Sequence, residues 1–328
     1  MVRRPFTGIL RTAPMVPVLV IAVIAFALLA DGFTSPTNLY NILRDSSVLM
    51  VAATGTTLVF LIGGLDLSVG SVVAGSAVGA AIAMSTTRSV LFGVVVGVVI
   101  GIVIGVLNGL LIGYAKLVPF VLTLGMLLVV RAVAYLAAAV AAGAGGTAAA
   151  VGDLPESATL FGRGFIAAVP NLFVLAIVVV AVTAVLLAKT RYGRYVRLVG
   201  QNETAARFNG VNVPFIKLVT YTIAGLLSGI AGVMLSMRLG SGNPASGDDL
   251  LLRAITAAII GGTALAGGHG GVVRTVFGAL VIIALSSGLS LMGFQFWDQS
   301  IVLGIVILLG TQLTRRWTRG SRAAVRAI

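Results

Sequence analysis

The chain has 328 residues, 59% hydrophobic and 9% charged, and apolar runs of about bilayer-spanning length recur from end to end. Runs such as VLVIAVIAFALLA (18–30) and LFGVVVGVVIGIVIGVL (91–107) are apolar on every face, which excludes the alternation of a β-barrel and implies an all-α polytopic membrane protein. The formal charge of +13 lies mainly between apolar runs and at the termini, a pattern that sets membrane orientation and not nucleic-acid binding, while the lack of cysteine and the single histidine exclude disulfides and disfavour a transition-metal site.

Arg3, Arg4 and Arg11 precede an apolar run at 15–30, read as a retained first span because a small-x-small cleavage site is poor there. Residues 31–47 are polar and short, with Asn38, Leu39, Ile42 and Leu43 at helical spacing, and are expected to form an interfacial amphipathic turn or two. The second span, 48–64, runs into LIGGLDLSVGS, where Asp66 has no other charge nearby. A carboxylate between apolar segments must be satisfied. Either Gly63 and Gly64 end one helix while Asp66 or Ser68 caps the next, or Asp66 and Ser68 line or gate a polar path.

The third span covers 69–84 and the fourth 90–115. In the fourth, Gly93, Gly97, Gly101, Gly105 and Gly109 recur every four residues, one slowly drifting stripe that lets a neighbouring backbone approach closely. Asn108 beside it suits an interhelical hydrogen bond or a path lining. The fifth span, 119–140, contains Arg131, which must snorkel or find a partner. Residues 141–170 read as an external loop. The sixth span, 171–188, delivers the chain into 189–213, the longest polar interval, and the seventh, 215–238, carries Gly225, Ser228, Gly229 and Gly232 as close-packing positions.

After the loop GSGNPASGDD, the apolar piece 254–265 would be about 18 Å long as a helix, too short for a hydrocarbon core of about 30 Å. It is therefore tilted, extended by its flanks, or broken inside the bundle. GGHGG turns the chain, its His269 reading as part of a tight turn. The last two spans, 275–293 and 301–313, flank FQFWDQS, whose Phe294, Phe296 and Trp297 suit an interfacial belt. About ten spans result, and with both termini inside, most basic residues fall on the internal side. IGGLDLSVG from Ile62 and IGGTALAGG from Ile260 echo each other, as duplicated halves with broken helices or as a coincidence in a glycine-rich chain.

The sequence contains no G-x-x-x-x-G-K-[ST], no HExxH and no plausible nucleophile with a base, so neither P-loop ATP hydrolysis nor an intramembrane enzyme is supported. Asp66 is the one good candidate for proton coupling, which keeps a proton-coupled secondary transporter as the alternative function and a non-transporting scaffold as a third.

The stretches GGLDLSVGS (63–71), LNGLLIGYAKLVPFVLTLGM (107–126) followed by Arg131, TRYGRYVRLVGQNETAARFNGVNV (190–213), MRLGSGNPASG (237–247) and AIIGGTALAGGHG (258–270) occur in that order. Together they resemble the ribose-type permeases of bacterial ABC importers, which move sugars and related small polar solutes. The resemblance implies one transmembrane permease domain over 1–328 with a cytoplasmic coupling loop at 189–213, a basic cytoplasmic tail at 314–328 and both termini in the cytoplasm of a bacterium, the chain lying in its inner membrane. It also implies a second permease chain, identical or a paralogue, two ABC ATPase subunits that use ATP and Mg, and an extracytoplasmic solute-binding protein. No cofactor is implied for this chain and no nucleic acid as partner.

The family's short helix that docks in the ATPase corresponds to 200–210, with Gln201, Asn202, Glu203, Ala205, Ala206 and Gly210 as ATPase-coupling residues. Their chemistry agrees: Asn202 can cap, Glu203 favours the first turn, alanines permit close docking and Gly210 stops the helix. Asp66, Ser68, Ser71, Asn108, Thr123 and Asn243 are the candidate translocation-path residues. The chain departs from the family where an acid-Leu-acid run is usual, having Leu251, Leu252 and Arg253 with Asp248 and Asp249 upstream, and where Arg274 replaces a glycine. These departures motivate pairing with a different permease.

Overall fold

A computed structural model describes residues 16–143, 150–306 and 308. It begins with α1 (Val16–Leu29) and a tight turn into α2 (Pro36–Leu61). The Ser35 hydroxyl caps α2 by accepting from the Asn38 amide at 3.3 Å, and Pro36 occupies the first turn, where no amide donor is needed. Next come α3 (Val69–Thr87), α4 (Val90–Gly113) and α5 (Pro119–Ala141). Beyond them lie α6 (Glu156–Arg163) and a two-stranded antiparallel hairpin, β1 (Phe165–Ile166) with β2 (Val169–Pro170), Phe165 opposite Pro170. The chain continues through α7 (Asn171–Lys189), α8 (Arg191–Gln201), α9 (Glu203–Phe208) and α10 (Val213–Leu239). A 3-10 turn (Pro244–Gly247), α11 (Asp248–Ile260), α12 (Val272–Leu291) and α13 (Phe296–Val306) complete the described part.

Among the described residues, seven helices are long and apolar enough to cross a membrane: α2, α3, α4, α5, α7, α10 and α12. The chain is thus an all-α, polytopic membrane protein. The segment expected as an interfacial turn is instead the start of α2, which runs unbroken for 26 residues. Several of its polar groups find partners within the fold. Ser46 and Ser47 donate back to the carbonyls of Ile42 and Leu43, each at 2.6 Å, and Asp45 pairs with Arg238. The short apolar piece also starts earlier than its hydropathy indicates, at Asp248, and ends at Ile260. Gly261 begins the non-helical run to 271, in which Gly262 takes φ +84. FQFWDQS is not wholly a connection, since α13 begins at Phe296. The loop at 141–170 holds α6 and the hairpin, while the basic tail at 314–328 lies outside the described residues.

The centre of the bundle is α10, packed on α2, α3 and α4, with α12 and α11 closing over α2 on the other side. The glycine stripe of α4 is a packing face, as its spacing implies: Gly93 meets α3, Gly97 meets both α3 and α10, and the later glycines meet α10. A methyl group built on Gly101 would come within 2.3 Å of the Gly225 carbonyl oxygen, and one on Gly225 equally close to that of Gly101. Gly105 meets Tyr221 and Gly225 backbone atoms, and Gly109 meets Leu218. Lipid tails are as apolar as leucine, so this close backbone contact, and not exclusion of water, holds the pair. In contrast α4, α5 and α7 turn most of their apolar side chains outward.

Gly225→Ala is expected to destabilise the bundle by about 1–3 kcal/mol through overpacking. Gly125→Ala, at a position with open space around it, should be neutral or slightly stabilising. Thermal unfolding of the two purified variants in one detergent checks the difference.

Candidate translocation site and coupling surface

A helix that stops inside an apolar bundle leaves carbonyl and amide groups that must find partners within the protein. After Leu61, residues 62–68 are not helical, and Gly63 takes φ +73, a left-handed turn that glycine adopts without strain. Asp66 then folds back on its own chain: Oδ1 accepts from the Ser68 amide at 2.8 Å and from the Ser68 hydroxyl at 2.6 Å. Ser68 is the N-cap residue of α3, but its side chain makes no capping bond; its hydroxyl donates to Asp66 instead. The Ser68 oxygen in turn accepts from Asn108 Nδ2 of α4 at 3.0 Å. Ser71 donates to the Ser68 carbonyl at 2.8 Å.

The same break is tied to two more helices through the Leu65 carbonyl, which accepts from the Tyr221 hydroxyl of α10 at 3.2 Å and from Thr123 of α5 at 3.4 Å. Asp66, Ser68, Ser71, Asn108 and Thr123 are all buried. Five of the six path residues named from sequence thus form one polar knot. Asn243 is not among them: it caps the 3-10 turn, accepting from the Ala245 amide at 2.9 Å. Its neighbour Gly242 packs against Ala77, so Asn243 sits about two and a half helical turns along α3 from Ser68. Asn108 Oδ1 is buried without a hydrogen-bond partner among the described residues, which leaves an acceptor in the knot open. Tyr221 escaped the sequence reading, although a phenol within an apolar span is itself a signal that its hydroxyl has a buried partner.

The polar interval at 189–213 folds as two helices, not as one docking helix over 200–210. Gly200 and Gln201 finish α8, Asn202 breaks the chain in an extended conformation, and α9 has only six residues. Asn202 Oδ1 accepts from the Ala205 amide at 2.9 Å, and Gly210 at φ +77 ends the turn. Glu203, in the first turn, bonds Arg207 at 2.6 Å and Lys217 of α10 at 2.8 Å. Ala206 is buried, while Gln201, Asn202 and Ala205 are exposed. Partial burial raises the Glu203 pKa, but its bonds to Lys217 and Arg207 outweigh that and hold the carboxyl below its ordinary value. Tyr192 anchors α8 to α10 through Thr220 at 3.0 Å, and burial pushes its phenol up to about 12.

Gly200 brings the two halves of this region together. A methyl group there would fall 1.8 Å from the Leu61 carbonyl oxygen and 2.5 Å from the Gly268 amide nitrogen. Those two groups bond each other, Gly268 N donating to Leu61 O at 2.9 Å. Arg197 of α8 adds a bond to the Gly270 carbonyl at 3.4 Å. Each of the two echoing segments, from Ile62 and from Ile260, is therefore a break between two helices, and both breaks meet under the end of α8. His269 lies in a tight turn of the second break, its carbonyl accepting from the Ala264 amide at 2.9 Å, and it is exposed.

At the opposite end of the bundle, four arginines are paired with carboxylates. Arg88 bonds Asp153 and Arg253 bonds Asp249, both at 2.5 Å, while Arg131 pairs with Asp248 and Arg238 with Asp45. Arg131 thus has a carboxylate partner. The two acids that looked displaced are the partners of Arg131 and Arg253. Arg163 reaches the carbonyl of Leu239 at 3.3 Å, and Arg44 stacks on Phe165 with its guanidinium carbon 4.7 Å from the ring centre.

A family profile described as the permease component of the branched-chain amino acid transport system matches residues 38–310. The chain belongs to that permease family. The permease is 37% identical to the ribose import permease protein of Bacillus subtilis (strain 168) over 311 residues, 95% of each chain. It is also 37% identical to the ribose import permease protein of Escherichia coli (strain K12) over 313 residues, 94% of this chain and 95% of the relative. The fructose import permease protein of Rhizobium meliloti is 32% identical over 312 residues, 92% and 84% of the two chains. No solved structure gives a significant match.

Because the folded pKa of Glu203 is depressed, its two bonds support the seating of α9 on α10 at neutral pH, and that support is lost as pH falls through the depressed value. Amide-exchange protection factors over 203–210, each taken against the intrinsic rate at its own pH, should therefore fall in acid, and Glu203→Gln should lower them similarly at neutral pH. Equal protection in the variant and the parent at neutral pH would assign the seating to other contacts.

Proposed function

We propose that this permease is the membrane-spanning subunit of an ABC importer and forms the translocation path for a sugar or sugar-like small polar solute. The observation that carries this reading is similarity to ribose and fructose import permeases along nearly the whole chain. The contact of Gly200 with both helix breaks gives it a physical route. In this reading the shorter α1, α11 and α13 cross the membrane together with the seven long helices, giving ten crossings. With both termini cytoplasmic, the basic interval holding α8 and α9 faces the cytoplasm of a bacterium and the ion-paired end faces outward.

In this reading α9 docks on a separate ATPase subunit, where ATP and Mg are used. Gln201, Asn202, Glu203, Ala205, Ala206 and Gly210 form the coupling surface. Closure of the ATPase pair displaces α8, and the Gly200 contact passes that displacement to the ends of α2 and α11. The Asp66 knot lies a few residues beyond and opens or shuts the inner end of the path, with Ser68, Ser71, Asn108 and Thr123 lining it and Asn243 lying nearer the outer end. An extracytoplasmic binding protein delivers the solute, and a second permease chain, identical or a paralogue, completes the path.

Reconstituted uptake tests the proposal. D-ribose accumulation in proteoliposomes should require the ATPase subunit, ATP and the binding protein, and a pH gradient alone should drive none; uptake on the gradient alone would establish a proton-coupled secondary transporter with Asp66 as its titrating group. Gly200→Ala should lower uptake by about tenfold or more while ATP hydrolysis continues, a lost transmission worth about 1.4 kcal/mol or more. Alanine at Asn108 and Thr123 together should change uptake kinetics without preventing insertion, and unchanged kinetics would remove both from the lining.

A further inference from the structure

A second polar feature lies far from the Asp66 knot. Between α2, α11, α12 and α13, at the ion-paired end, is a cleft of about 300 Å³, the lower end of the range for small-molecule sites, about 300–1,000 Å³. Its walls carry Asn41 and Asp45 from α2, Arg253 from α11, Ser286 and Ser290 from α12, and Gln299 from α13. Polar side chains on membrane-spanning helices are costly in lipid and are kept where they face a bundle interior, a water-filled cavity or a solute route. One pair is structural: Ser287 donates to Asn38 Oδ1 at 2.8 Å, stitching α12 to α2. Among the described residues the side chains of Asn41, Ser286 and Ser290 have no hydrogen-bond partner, so their donors and acceptors remain for something in the cleft.

The chemistry of the lining selects the class of occupant. Asp45 is neutralised by Arg238 and Arg253 by Asp249, so the cleft holds one charge of each sign and each already has a partner. An ionic solute would have to displace one of these pairs. Amides and hydroxyls that both donate and accept match a solute whose groups do the same, and a sugar hydroxyl is such a group. Ile42, Ile283 and Leu291 supply an apolar wall for the C–H face of a ring.

We propose that this cleft is a binding subsite for a neutral, polyhydroxylated solute, separate from the knot around Asp66. The assignment of solute class rests on the importer reading above, which also places the cleft on the outward-facing side. A solute released by a binding protein would meet this lining before it reached the inner knot.

The absence of cysteine makes the test direct. Ser290→Cys and Asn41→Cys each place one thiol in the cleft, and Thr86→Cys places one at the same end of the bundle, exposed and outside it. With the full chain in its native membrane, the rate of modification by a membrane-impermeant methanethiosulfonate is measured alone, with D-ribose, with D-fructose and with L-leucine. A solute that buries most of its surface in the cleft should slow modification of both cleft thiols by about fivefold. The Thr86→Cys rate should stay unchanged, and L-leucine should protect neither cleft thiol. Failure of both sugars to protect, equal protection of all three thiols, or equal protection by L-leucine would overturn the subsite. ATP-dependent ribose uptake, measured in parallel on the cysteine-free parent, keeps the two readings apart: uptake without protection removes the cleft alone, and protection without uptake removes the importer reading alone.

Discussion

A single backbone hydrogen bond, from the Gly268 amide to the Leu61 carbonyl, joins the two places where the bundle interrupts its own helices. Within a bilayer no water is available to satisfy a broken helix, so a break is stable only where another part of the protein supplies the missing partners. Here each break supplies the other. The Leu65 carbonyl is then met by hydroxyls from α5 and α10, Ser68 by the Asn108 amide of α4 and Asp66 by Ser68, so the interrupted stretch is held by three surrounding helices and not by its own helix. Gly200 seals the arrangement from beneath because a side chain there would occupy the position of the bond itself.

The two ends of the molecule solve the problem of polar groups differently. Around Asp66 the solution uses neutral hydroxyls, an amide and backbone, with one carboxylate folded onto its own turn. At the far end it uses ion pairs between elements distant in sequence: α3 to the segment before α6, α5 to α11, and α10 to α2. Several of those pairs are partly exposed, where each contributes little by itself. Their placement still fixes which helix ends lie side by side.

Much of this was legible in the sequence, and the limits have physical causes. The glycine period in α4 foretold a packing face because four residues is close to one helical turn, and α10 and α3 fill that face. Asp66, Ser68, Ser71, Asn108 and Thr123 stood out because each is a polar residue in or beside an apolar run. That they converge on one knot required knowing which helices are neighbours. Asn243 stands apart from the knot, since a capping asparagine and a lining asparagine look alike in one dimension. Hydropathy misplaced the start of α2 and of α11, where charged and polar residues are paired across the fold and therefore tolerated inside a helix. The 189–213 interval was recognisable by polarity and by family resemblance, but the break at Asn202 is a local competition between capping and helix continuation that composition does not decide.

The glycine seam between α4 and α10 has a mechanical consequence. Where two backbones touch through Gly101, Gly105 and Gly225, neither helix can slide or roll past the other without first being lifted away, since the neighbouring residues stand proud of the contact. These two helices, with α3 fitted to α10 through Gly232, therefore behave as one slab. Relative motion falls to the seams built from side chains, such as that between α5 and the slab. The permease thus divides into a stiff plate and lighter parts that can swing against it.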